Sequence, residues 1–296
     1  MFHKIAVIGA GTMGNGIAHV FAQYGFPVHL IDVNADQLVK ALQAIRKNMD
    51  RQVAKGSLTA EAATNSYELI GTFSSIEEGV QGVQLVVEAA TENETIKLNI
   101  FRELDHHAPA GCILASNTSS ISITRIAAVA KRPQWVIGMH FMNPVPLMKL
   151  VEIINGYNTD PTVGSSIVAL TEKIGKVPCV VNDYPGFIAN RILMPMINEA
   201  ICSLQEGVAG VEAIDSIMKL GMAHPMGPLQ LADFIGLDIC HSILTVLHQG
   251  FGNPKYAPCA LLGNMVAAGK LGVKTGEGFY TYSADKKLVT VSNRFS

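Results

Sequence analysis

The stretch KIAVIGAGTMGNGIAHVFAQYG, residues 4–25, constrains the fold more than any other part of the chain. A short β-branched run, Ile5 to Ile8, meets three glycines and then apolar residues at helical spacing, so a strand must turn sharply into a helix. Gly9, Gly11 and Gly14 form a G-x-G-x-x-G pattern across that turn. The first glycine permits the turn, the second lets a pyrophosphate approach the backbone, and the third lets helix and strand pack closely. The diphosphate then rests on the helix N-terminus, where unbonded N–H groups and the helix dipole favour negative charge. This brings Thr12 and Met13 into the cofactor site beside the glycines.

A second apolar run, VHLID, ends in Asp32, close to the roughly 20-residue offset at which a dinucleotide fold places a ribose-binding carboxylate. Such a carboxylate accepts hydrogen bonds from the ribose hydroxyls and repels a 2′-phosphate, which favours NAD over NADP. Further apolar runs follow: LVVEAA, CILASNT, WVIGMHF, LVEIING and VPCVVND, separated by amphipathic stretches. They predict a doubly wound, mostly parallel α/β sheet of Rossmann type over residues 1–184. After NDYPGF the texture changes to apolar residues at helical spacing broken by Gly and Pro, so residues 185–296 read as an all-helical second domain. Two domains also suit a chain of 296 residues, which is long for a single core.

Composition narrows the partners. Apolar residues make up 49% and charged residues 16%, a balance that supports two buried cores. The net charge of −2 and the lack of a basic tract argue against nucleic acid, whose backbone is bound by clustered Lys and Arg. No apolar run reaches the roughly 20 residues of a membrane span, and MFHKIAVIGAG enters a strand without a leader pattern. Cys112, Cys179, Cys202, Cys240 and Cys259 show neither CxxC metal spacing nor a disulfide framework. A metal-free cytoplasmic protein with reduced thiols is the expectation.

The segments ASNTSSISI and GMHFMNP both close predicted strands, and open α/β sheets bind ligands at the carboxyl ends of their strands. Ser119, His140 and Asn143 are thus expected to converge near the nicotinamide. His is the side chain suited to take a hydroxyl proton near neutral pH. Glu152 sits in the apolar run LVEII, where a carboxylate is costly unless paired. His140 is its natural partner, with Pro144 and Pro146 breaking the loop between them. Ser119 lies outside any G-x-S-x-G elbow, which disfavours acyl-enzyme chemistry.

VIGAGTMGNGIA, LVVEAATEN, ILASNTSSISIT, VIGMHFMNPVPLMKLVEII, PGFIANRILMPMINEA, HPMGPLQLADFIGLDI and KTGEGFYTY follow in this order over nearly the whole chain. Together they resemble the 3-hydroxyacyl-CoA dehydrogenase family, in particular its stand-alone bacterial branch acting on 3-hydroxybutyryl-CoA. The resemblance implies an NAD-binding domain, a helical C-terminal domain that forms a homodimer, and reversible oxidation of (S)-3-hydroxyacyl-CoA to 3-ketoacyl-CoA. It also implies His140 as base, Glu152 as its partner, and Ser119 and Asn190 as holders of the substrate. Asp32, Glu92, Lys97, Ser119, Asn143 and Lys274 become cofactor contacts by the same resemblance. Asn48 and Lys55, on the basic helix DQLVKALQAIRKNMDRQVAKG, become contacts to coenzyme A. Two alternatives stay open at this stage: a sugar-acid dehydrogenase on the same scaffold, and a non-catalytic NAD-binding protein.

Overall fold

A computed structural model describes residues 2–285 and 289–296. It divides into two compact units, Met1–Tyr184 and Pro185–Ser296.

The first unit opens with β1 (Ile5–Ile8), α1 (Thr12–Gln23), β2 (Val28–Ile31) and the long α2 (Ala35–Ala54). It continues through α3 (Ala60–Glu68), β3 (Ile70–Phe73), α4 (Ile76–Gly79), β4 (Leu85–Glu88), α5 (Glu94–His107) and β5 (Ile113–Ser116). Then come α6 (Ile123–Ala127), β6 (Val136–Phe141), β7 (Leu150–Asn155), α7 (Pro161–Lys173) and β8 (Val177–Asn182). The eight strands form one sheet in the order β3-β2-β1-β4-β5-β6-β7-β8. Every pair is parallel except β6 and β7. β1, β4 and β5 are buried at every residue, which is why they read as unbroken apolar runs: helices cover both faces of a parallel sheet.

The strand order reverses beside β1, which pairs with β2 on one side and β4 on the other. A crevice opens at such a point beyond the carboxyl ends of the strands. The apolar runs did not disclose β3. It is an edge strand, half-exposed and carrying Gly71, so it lacks the pattern of a buried run.

The second unit is built on α8 (Ala189–Gln205), α9 (Val211–Gly221), α10 (Pro228–Ile235), α11 (Leu237–Phe251) and α12 (Ala260–Ala267). Gly236, with φ of +107°, breaks GPLQLADFIGLDICHSILTVLHQ into α10 and α11. One correction to the all-helical expectation is needed: β9 (Tyr280–Tyr282) and β10 (Val289–Val291) pair as an antiparallel ribbon. Two buried carboxylates organise this end. Asp215 of α9 accepts the backbone N–H groups of Leu229 and Gln230 at 2.8 and 2.9 Å, which caps α10 from a neighbouring helix. Asp233 accepts the N–H groups of Phe279 and Tyr280 at 3.0 and 2.9 Å and the Tyr282 hydroxyl at 3.0 Å. The ribbon is thereby fastened to the helices.

Among the described residues no disulfide forms; Cys112, Cys240 and Cys259 are buried, whereas Cys179 is exposed on β8. No single helix is long and apolar enough to cross a membrane.

Candidate active site

The glycine turn has the clearances its sequence requires. A Cβ at Gly9, whose φ is +92°, would lie 2.8 Å from the Ala89 carbonyl oxygen, and one at Gly14 would lie 1.7 Å from that of Gly9. Those two positions are closed by the protein's own backbone. Gly11 differs, since a Cβ there meets nothing within 4 Å. Gly11 is also the N-cap of α1 and offers no side chain to the first-turn N–H groups, so the space is left for an anionic ligand. Thr12 and Met13 form the first turn of that helix.

Asp32 follows β2 directly. Its Oδ2 accepts the Ala10 N–H at 2.7 Å and its Oδ1 accepts the Asn34 N–H at 2.9 Å. Two backbone donors hold the carboxylate beside the glycine turn and leave further lone pairs for ribose hydroxyls. The glycines and Asp32 together fit a dinucleotide.

Along the same sheet edge, β4 delivers Glu88 and then Glu92. Glu88 and Lys97 are both fully buried, with Lys97 Nζ 2.7 Å from Glu88 Oε1. Glu88 also accepts from the Ser116 hydroxyl at 2.7 Å and from the Ala90 N–H at 2.7 Å. Removing one partner of such a pair leaves a buried charge uncompensated, which costs about 3–5 kcal/mol. Glu88 escaped the sequence reading, although it ends an apolar strand as Glu152 interrupts one; the same burial argument finds it.

Lys97 Nζ reaches on to Glu92 Oε2 at 3.5 Å. Glu92 Oε1 accepts the Thr118 hydroxyl at 2.6 Å, the Ser119 N–H at 2.9 Å and the Ser120 hydroxyl at 2.9 Å. Burial works to raise the Glu92 pKa, but the Lys97 charge and the Thr118, Ser120 and Ser119 hydrogen bonds together hold it below the usual carboxylate range. The turn bearing Ser119 is therefore drawn onto the end of β4. Ser119 Oγ itself lies 3.3 Å from Glu92 Oε1.

β6 and β7 supply the central pair. His140 and Glu152 face each other in the antiparallel register, so their side chains rise from the same face of the sheet. His140 Nδ1 lies 2.8 Å from Glu152 Oε2, with the two residues 8% and 2% exposed. An ionised Glu152 fixes the proton on Nδ1 and leaves Nε2 as the basic nitrogen. Asn117 Oδ1 accepts the Phe141 N–H at 2.9 Å, tying the end of β6 to the segment after β5. Asn143, two residues past β6, is exposed.

The first unit thus brings the glycine turn, Asp32, Glu92, Ser119, His140 and Asn143 to one edge, because β1, β2, β4, β5 and β6 are parallel and all end there. Asn48 lies on α2 and Lys55 is the C-cap of that helix, and Asn48 Oδ1 accepts from Arg51 Nη1 at 3.4 Å. Asn190 and Lys274 belong to the second unit: Asn190 stands in the first turn of α8, and Lys274 is ion-paired with Asp238. Among the described residues no cluster of three or more His, Cys, Asp or Glu is arranged to hold a metal.

The chain is similar to known proteins over nearly its whole length. Residues 4–184 match the family described as 3-hydroxyacyl-CoA dehydrogenase, NAD binding domain, and residues 186–282 match the C-terminal domain of the same enzymes. The chain is 53% identical over 287 residues to the 3-hydroxybutyryl-CoA dehydrogenase of Bradyrhizobium diazoefficiens, covering 97% of this chain and 98% of that one. It is 52% identical over 279 residues to the probable 3-hydroxybutyryl-CoA dehydrogenase of Bacillus subtilis, covering 94% and 97% of the two chains. The crystal structure of (S)-3-hydroxybutyryl-CoA dehydrogenase from Ralstonia eutropha superposes with a TM-score of 0.93 at 46% identity, covering 96% of this chain and 100% of that one.

Proposed function

The chain belongs to the 3-hydroxyacyl-CoA dehydrogenase family, whose cofactor is NAD, and from that premise we propose that it oxidises (S)-3-hydroxybutyryl-CoA and similar short 3-hydroxyacyl-CoA thioesters reversibly to their 3-keto forms. The observation that carries this reading is the buried His140–Glu152 pair, 2.8 Å apart, on the sheet edge that also bears the glycine turn.

Bound at the glycine turn, NAD+ supplies the hydride acceptor. The chain's own residues do the remaining work. His140 Nε2 takes the proton from the substrate's 3-hydroxyl, and Glu152 stabilises the imidazolium that results. In the reducing direction His140 returns that proton. Ser119, held by Glu92, and Asn190 fix the 3-oxygen and thioester so that the reacting atoms stay in line. Asp32, Glu92, Lys97, Asn143 and Lys274 hold the cofactor, Lys97 doing so by setting Glu92. Asn48 on α2 and Lys55 at its C-cap receive coenzyme A, where a cationic helix attracts phosphate.

The enzyme acts as a cytoplasmic homodimer in this reading. Unpaired thiols suit a reducing compartment, and the exposed apolar side chains Ile217, Leu220 and Phe234 of the second unit suit a subunit interface.

The test is loss of NADH absorbance with acetoacetyl-CoA, run beside free acetoacetate and beside NADPH. Rapid oxidation of NADH with the thioester alone is expected. Turnover of the free acid would favour a sugar-acid dehydrogenase instead, and NADH binding without any turnover a non-catalytic protein. In the active enzyme, Glu152→Gln should lower kcat by about 10²- to 10⁴-fold with little change in NADH affinity. A variant with normal turnover would remove Glu152 from the mechanism.

A further inference from the structure

One buried cation of the first unit has no part in the chemistry described above. Lys176 immediately precedes β8 and is 8% exposed. Its ammonium donates to the carbonyl oxygens of Val145 at 2.5 Å and Met148 at 2.7 Å. Both acceptors are backbone groups of the segment, residues 142–149, that joins β6 to β7. Burying a charge is costly, and an apolar side chain of similar length would fill the space without that cost. Burial alone pulls the lysine's pKa below its ordinary value. What the charge provides in return is a fixed loop.

That loop stands between the two strands of the His140–Glu152 pair, and Asn143 is its second residue. Its other side is held by packing. Val145 is buried, and a Cβ at Gly16 of α1 would lie 2.9 Å from the Val145 Cβ. Gly16 is two residues past Gly14 on the helix whose N-terminus forms the diphosphate cradle. The loop is thus clamped between the cofactor helix on one side and the Lys176 ammonium on the other. Releasing the ammonium frees the carbonyls of Val145 and Met148, and Asn143 is two residues from the first of them.

We propose that Lys176 is a positioning residue for the dehydrogenase reaction, acting through the 144–148 backbone to set Asn143 at the distance from the glycine turn that the nicotinamide half of the cofactor requires. The proposal rests on the function argued above, so its test reads cofactor binding as well as turnover. NADH affinity is followed by fluorescence, and turnover with acetoacetyl-CoA, in the wild type, K176M, N143A and the double variant. K176M is expected to weaken NADH binding and to lower kcat about tenfold or more, since small misplacements of a positioning group carry penalties of that order. K176R, which still donates to carbonyls, should recover most of the loss. If Lys176 acts through Asn143, the double variant is no worse than the poorer single one, because the two changes remove the same contact.

Multiplying effects of K176M and N143A would overturn the proposal, as would wild-type NADH affinity in K176M. Should K176M fail to fold, K176Q, which keeps a neutral donor, takes its place in the cycle with the same expected pattern at smaller amplitude. A wild-type protein that binds NADH but does not turn over acetoacetyl-CoA would count against the dehydrogenase reading, and the binding cycle would still decide the role of Lys176.

Discussion

At the scale of single residues, the three glycines of one motif carry different constraints. Gly9 and Gly14 are blocked by backbone, whereas Gly11 faces open space with φ of −67°, a conformation any residue adopts. Gly11→Ala should therefore keep the wild-type melting temperature and lose NADH affinity, because its methyl group occupies only the ligand's space. Gly14→Ala should lower the melting temperature outright, by forcing helix and strand apart. Paired thermal melts and NADH titrations check this; a destabilised Gly11→Ala protein would contradict the assignment of that space to a ligand. The sequence disclosed this distinction in kind but not in degree. It also disclosed His140 and Glu152, because a carboxylate in LVEII demands a partner. It could not disclose Lys176, whose partners are carbonyls: any residue supplies those, so no side-chain pattern marks them.

At the scale of elements, strands buried on both faces were legible as apolar runs, while the half-exposed edge strand β3 and the short ribbon β9–β10 were not. The ribbon depends on Asp233, a feature invisible along the chain because its partners lie 46 to 49 residues away. Burial raises the Asp233 pKa to about 6, against the opposing hydrogen bonds of Tyr280, Phe279 and Tyr282 and with the Asp215 charge adding to the rise. Between the ordinary carboxylate range and about 6, the carboxyl of the folded ribbon holds a proton that it gives up when the ribbon opens. Its contribution to stability is complete below the ordinary carboxylate range and is lost as pH rises through about 6. Amide exchange at Phe279 and Tyr280, corrected for intrinsic rates, should show greater protection at about pH 5 than at about pH 7. Glu92 works in the opposite sense. Its lowered pKa stabilises the first unit above the ordinary carboxylate range, and that contribution fades as pH falls through the depressed value. Protection of the ribbon that stayed the same at both pH values would show that Asp233 is ionised in both states, and protection that fell on acidification would show that folding lowers its pKa.

At the scale of the whole molecule, the dinucleotide fold and the sequence of apolar runs were legible because periodicity and glycine spacing are local signals. Assembly was not, since an interface is a property of surface. Leu220 and Phe234 are 87% and 68% exposed, and the proposed homodimer gives them a place to be buried. Leu220→Glu combined with Phe234→Glu should shift sedimentation from dimer to monomer while NADH binding persists; an unchanged dimer would move the interface elsewhere. The antiparallel pairing of β6 with β7 has its own consequence for insertions and deletions. His140 and Glu152 are opposed by register, so extra residues inserted between Phe141 and Leu150 would lengthen their separation along the chain and leave them facing. A single residue lost from within β7 would instead turn the carboxylate to the opposite side of the sheet. The facing of the pair is thus fixed by the parity of the register rather than by the number of residues between the two strands.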